Sequence, residues 1–321
     1  MMRSLTPKLA LGAAWALFTL APCASAQEPA PDASPSTLVE EVEVIAKLPG
    51  PALWRVSTPT SQIWLLALPG GMPQGFKWNT VRVTKALAGA RELVLPPVAT
   101  LGIGDLVTVL LDSGHIVHLP PGQTVRSGMP ADLRARWEQA ARSVGQKPEH
   151  YDHFRPVVAA VALGQDAGRS AKLDPSGGRF QIAVIAKLQK AKIRNLASYR
   201  VMDLVKGLSE TPDDVSSACL SLAADAALTM KDDVLKGAEA WARGDLDALR
   251  AHNDVVAQCN SAVPLVRLRN RVATDWAKDL KVELGKPGKV MVAADLDTLT
   301  RKGGLLDQLK AEGLEVIGPA Y

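Results

Sequence analysis

Hydrophobic positions along the chain follow a strand rhythm at both ends and a helical rhythm in the middle. Near the front, PALWRVST and SQIWLLAL are short apolar runs separated by Thr58-Pro59-Thr60-Ser61, which predicts a hairpin. NTVRVTKALAGA then predicts a helix, and RELVLPP another buried strand ended by Pro96-Pro97. The middle predicts helices almost throughout. PADLRARWEQAARSVG starts at a proline and ends at Gly145, and RPVVAAVALGQDAG is rich enough in small apolar residues to be buried on nearly all sides. Further helices are expected over 179–190, 212–230, 231–243, 245–257 and 262–284, with Gly244 stopping one helix and Asp245 capping the next. The chain closes on strand, helix, strand: KVMVAAD, GGLLDQLKAEG and LEVIGP. The expected class is α/β (α+β), a mixed sheet built from N- and C-terminal strands with a large helical middle.

The first residues modify this picture. MMRSLTPK, an apolar run of 13 (LALGAAWALFTLA) and PCASA have the order of a secretory signal peptide, cut after Ala26. Thirteen apolar residues are too few to span a bilayer as a helix, and no later segment is long enough. A lipid anchor on Cys23 would want a small residue where Pro22 stands. Residues 27–49, rich in Pro, Ala and Ser, form a linker with one short strand in EEVEVIAK, and 50–321 the domain. The expected location is periplasmic or secreted. Cleavage lowers the formal charge from +4 to +2, too little to argue for nucleic acid or an anionic membrane face. Cys219 and Cys259 then remain, and in an oxidising compartment they are expected to pair.

Recognisable chemistry is sparse. No G-x-S-x-G, GxxxxGK[ST] or HExxH occurs, and Gly102 and Gly104 lack the third glycine of a dinucleotide fingerprint. Acid pairs Asp213-Asp214 and Asp232-Asp233 fall where helices are expected to start, so capping explains them. His115/His118 and His150/His153, the latter flanking Asp152, are spaced for metal ligation on a helix, but HIVHLPPG reads as extended and HYDHF as a solvated loop. The loop after SQIWLLAL is the odd case. It sits at the end of a buried strand, where enzymes place ligands, yet PGGMPQG carries no carboxylate, histidine, serine or cysteine.

Read end to end, these words resemble the TraB/GumN family, bacterial relatives of the Tiki peptidases. PALWRVSTPTSQIWLLALPGGMPQGFKW and ARELVLP match its opening. LPPGQTVRSGMPADLRARWEQAARSVG and RPVVAAVAL match its middle. WARGDLDALRAHN, LVRLRNRVATDWAKDL and PGKVMVAADLDTLTRKGGLLDQLKAEGLEVIGP match its close. The resemblance implies two G-x-x-H motifs and an acidic residue that hold a divalent metal for hydrolysis. Here the first glycine and histidine fall on Ala67 and Gly70, the acid on Pro96, and the second glycine and histidine on Asp295 and Thr298. Arg269 and Asn270 keep the family's R-N pair. Two expectations follow. One is an exported pseudoenzyme that binds a protein or small ligand of the envelope and needs no cofactor. The other is a metal-dependent hydrolase whose divalent ion has moved to some of His115, His118, His150, His153, Asp295 and Asp297.

Overall fold

The computed structural model describes residues 50–100, 117–174, 176–200, 213–251 and 263–321, within one compact unit, Lys47–Tyr321. The expected hairpin is present: β1 (Leu53–Ser57) pairs antiparallel with β2 (Ser61–Leu68), with Leu53 opposite Leu66 and Ser57 opposite Gln62. After a two-residue strand β3 (Met72–Pro73) come α1 (Val81–Leu87), β4 (Ala90–Leu95) and β5 (Val98–Thr100). The helical middle holds α2 (Ala131–Ser143) and α3 (Pro156–Ser170), then β6 (Leu173–Asp174), α4 (Arg179–Leu188), β7 (Lys192–Asn195), β8 (Ser198–Arg200) and α5 (Asp213–Arg243). A short helix over 246–251 leads on, and the close is α6 (Val263–Leu284), β9 (Gly288–Asp295), α7 (Leu296–Thr300), α8 (Leu305–Ala311) and β10 (Val316–Ile317).

The main sheet has six strands in the order β10-β1-β2-β9-β4-β7. β2, β9, β4 and β7 run parallel, while β1 and β10 form an antiparallel edge. The mixed sheet built from both chain ends is therefore as expected. Alternation along its strands sorts the core. Ile63, Leu65, Ala67, Val290, Val292 and Ala294 face one side, where they pack with Trp241, Trp276 and Leu280. Leu66, Leu68, Met291 and Ala293 face the other, packing with Val83 and Leu87 of α1 and Ile182 and Ala186 of α4. A second core, of Leu133, Trp137, Leu163, Cys219 and Leu220, joins α2, α3 and the front half of α5.

Three local expectations are corrected. The helices expected over 212–230 and 231–243 are one 31-residue helix, because nothing near Lys231 prevents the turn from continuing. Asp232-Asp233 therefore lie in its interior rather than at a helix start. α3 is not buried on nearly all sides: Val161 is 45% exposed, and the same helix buries a carboxylate, Asp166. The break at Gly244 holds. Its φ of +72° and a virtual Cβ 2.8 Å from the Gly50 carbonyl oxygen demand glycine, and Asp245 Oδ1 accepts from the Ala248 amide at 3.0 Å. The strand within EEVEVIAK, the rest of the helix to 257, His115 and Cys259 lie outside the described residues.

Candidate functional site

Three parallel strands, β2, β9 and β4, end on the same edge of the sheet. Register fixes this closely, since Leu68 is the partner of Asp295 across β2 and β9. The chain leaves these ends as Pro69-Gly70-Gly71, as Asp295 and as Pro96-Pro97, and together they line a cleft of about 700 Å³. The opposite wall comes from Gln165, Gly168 and Arg169 of α3 and from Asp174, Ser176, Gly177 and Arg179 at the start of α4.

Of the positions singled out in the sequence, Gly70, Pro96 and Asp295 thus meet in one cavity. Ala67 and Thr298 are close in sequence but buried. The Ala67 carbonyl lies one residue past the last β1–β2 pair and accepts a hydrogen bond from Trp241 Nε1 at 2.6 Å. Asn270 lines a different, smaller cleft of about 420 Å³ with Arg301 and Gln308.

Charges in the main cleft are few and differ in availability. Asp174 is occupied: its Oδ1 accepts from the Ser176 amide and its Oδ2 from the Ser176 hydroxyl, both at 2.8 Å. This Asx turn fixes the entry to α4, whose preceding Gly178 has φ +79°. Arg179 Nε donates to the Ser176 carbonyl at 2.8 Å, and Arg169 pairs with buried Asp166, which also accepts from the Tyr151 hydroxyl at 2.7 Å. Asp295 is different. It occupies the N-cap position of α7, yet its side chain makes no capping bond and opens to the cleft. Surrounding protein pushes its pKa up, the positive charge of Arg179 opposes this, and Asp297 adds to the rise.

The histidines assemble elsewhere. His118 and His153, one from each expected pair, come together with ring centroids 5.1 Å apart, and both stack near Phe154 beside the helical core. His150 lies 4.0 Å from Asp166, and Asp152 is held by Arg126 through bonds of 2.7 and 2.6 Å. None of these side chains lines the cleft. Among the described residues, no three His, Cys, Asp or Glu side chains lie close enough to share an ion. A divalent metal does not fit the cleft's donors, since Gly70 and Pro96 offer no side-chain ligand and Asp174 is already committed. Arg169, Arg179 and Asp174 were not singled out in the sequence; the D-P-S-G-G turn signal ahead of a helix is what could have pointed to them.

The model of the TraB/PrgY/gumN family matches residues 52–317. The chain belongs to that family. The match takes in both sheet ends and the helical middle, so the cleft at the strand ends is part of the TraB/PrgY/gumN region itself. No curated protein and no solved structure is detectably similar to the chain.

Proposed function

We propose that this TraB/PrgY/gumN protein is an exported, non-catalytic binding protein of the cell envelope that holds a small ligand or a partner's segment in the strand-end cleft. One observation carries the reading. The cavity keeps a volume suited to a ligand, about 700 Å³, while Gly70 and Pro96 line it where the family resemblance calls for a histidine and an acid. Packing of a fold and the chemistry of its site are separable, so ligand residues can be lost while the cavity persists. Arg169, Arg179 and Asp295 give that cavity polar handles without assembling a nucleophile, base and metal. Export rests on the leader over residues 1–26. Among the described residues no helix is long and apolar enough to cross a membrane.

The direct test pairs metal content with hydrolysis. Protein purified without tag or chelator should carry well under one Mn, Co or Zn per chain. It should cleave a mixed peptide pool no faster, with or without those ions, than the Asp295→Asn variant does. A stoichiometric ion, or metal-dependent cleavage lost in Asp295→Asn, would overturn the proposal in favour of a hydrolase with a relocated site.

A further inference from the structure

Helix α4, RFQIAVIAKL, is apolar on two opposite faces. Ile182 and Ala186 are fully buried against the sheet. Phe180, Val184 and Leu188 follow one another at four-residue steps on the outer face, where they are 69%, 40% and 75% exposed. An ordinary surface helix carries charged residues there. Val81, at the start of neighbouring α1, is also 47% exposed. The two helices cover the same sheet face, and the Trp78 indole N–H donates to the side-chain carbonyl of Gln181 between them.

Basic residues dominate the sequence around this stripe, and although Arg91 and Arg194 are paired with Glu92, Asp279 and Glu283, the exposed lysines carry the remaining charge. Residues 75–91 contain Lys77, Arg82, Lys85 and Arg91, and residues 176–200 contain Arg179, Lys187, Lys190, Lys192, Arg194 and Arg200; neither stretch has an Asp or Glu. Lys77, Lys85, Lys187, Lys190 and Lys192 are exposed. The modest net charge of the whole chain, +4, conceals this, because the acids lie on other elements.

We propose that the α1/α4 face docks on an anionic phospholipid surface, with Phe180, Val184 and Leu188 entering the headgroup–acyl boundary and the lysines meeting lipid phosphates. A row of apolar side chains standing out from a helix in the surface plane, rimmed by lysine, is the pattern of interfacial helices. Lysine suits the rim because its alkyl stem can lie along apolar surface while the ammonium stays at the headgroups. Charge complementarity chooses the anionic bilayer: each lysine near such a surface adds to the attraction, and no acid in either stretch opposes it. The proposal stands apart from the ligand-binding reading, which concerns the cleft at the strand ends and the start of α4 rather than the outer face of that helix.

The test is co-sedimentation of the full chain with phosphatidylglycerol-containing vesicles, against vesicles of pure phosphatidylcholine. Parent and variants share the same N-terminus, so its contribution cancels in the comparison. The parent should favour the anionic vesicles and release as salt rises. Phe180→Ser/Leu188→Ser should weaken binding about tenfold or more, since both side chains lose their apolar transfer. Lys187→Gln/Lys190→Gln should lose about fivefold for each lysine and leave any residual affinity for neutral vesicles unchanged. All four side chains are solvent-exposed, and matching circular-dichroism melts would verify the fold. Equal binding to both vesicle types, or no loss in the serine variant, would overturn the proposal. Capture of an acidic protein through the same stripe without vesicle binding would overturn it too.

Discussion

Trp241 and Trp276 are both fully buried in the same core, but only one uses its indole N–H. Trp241 donates to the Ala67 carbonyl at 2.6 Å, filling the place left where β1 stops pairing with β2. Trp276 Nε1 is buried with no hydrogen-bond partner among the described residues. Replacing either by phenylalanine removes a similar volume, which costs roughly 1–3 kcal/mol in a packed core. Trp241→Phe also strands a buried carbonyl, adding about 1–3 kcal/mol. Trp276→Phe instead deletes a buried, unpaired donor, so its polar contribution is favourable and offsets part of the packing loss. Trp241→Phe should therefore cost at least ~1 kcal/mol more than Trp276→Phe. Urea unfolding monitored by far-UV circular dichroism gives the comparison, as a difference in midpoints at equal slope. Equal losses in the two variants would refute the reasoning and mean that the Ala67 carbonyl is satisfied by another partner once the indole is gone.

Asp295→Asn should stabilise the protein at neutral pH. The folded-state pKa of Asp295 is raised, so the native state binds more protons than the unfolded chain and the aspartate loses stability as pH rises through that window. The advantage of the variant should vanish below the ordinary carboxylate range, and a constant advantage from pH 3 to 7 in thermal melts would contradict it. Glu283 is the opposite case: it is 2% exposed, and although burial alone would push its pKa up, bonds from Lys286 and Arg91 hold it below normal. Glu283→Gln leaves Arg91, Arg194 and Lys286 without that carboxylate; because those cations are partly exposed and two keep other acids, it should cost about 1.5–3 kcal/mol near neutrality, less as acid titrates the parent's carboxylate. A calorimetric loss under 1 kcal/mol at pH 7 would show that these cations re-pair freely. Cys219 is buried on α5 and its expected partner is Cys259; non-reducing peptide mapping of protein made under oxidising conditions should recover the linked pair, and ready alkylation of both thiols would rule it out.

Much of the sheet was legible because its strands carry their own instructions. SQIWLLAL and KVMVAAD are apolar runs long enough to be buried on both faces and end on unmistakable breakers. The ladder that joins them was not legible, since nothing local says that Leu68 will lie beside Asp295. Family resemblance supplied that adjacency as an expectation, and it brought Gly70, Pro96 and Asp295 to one edge. β7 escaped notice because KIRN is short and half polar, its pairing with β4 coming from position in the sheet. Lys231-Asp232-Asp233 suggested a cap, but a polar step alone cannot end a helix that tertiary packing supports at both ends. Counting charge over the whole chain hid the basic face of α1 and α4, because only packing brings two acid-free stretches together.

β9 occupies the middle of the sheet, between β2 and β4, although it follows both by nearly two hundred residues or more. A growing chain therefore cannot complete its core until residues near 295 have been made, whatever its helices have done beforehand. Joining β2 to β9 closes a loop of more than two hundred residues, which is entropically slow, so the sheet stays open until β9 has emerged. That delay sets a hazard. A product truncated before Gly288 would present β2 and β4 as two bare, apolar edges facing the gap meant for β9, the geometry that invites strands from other chains.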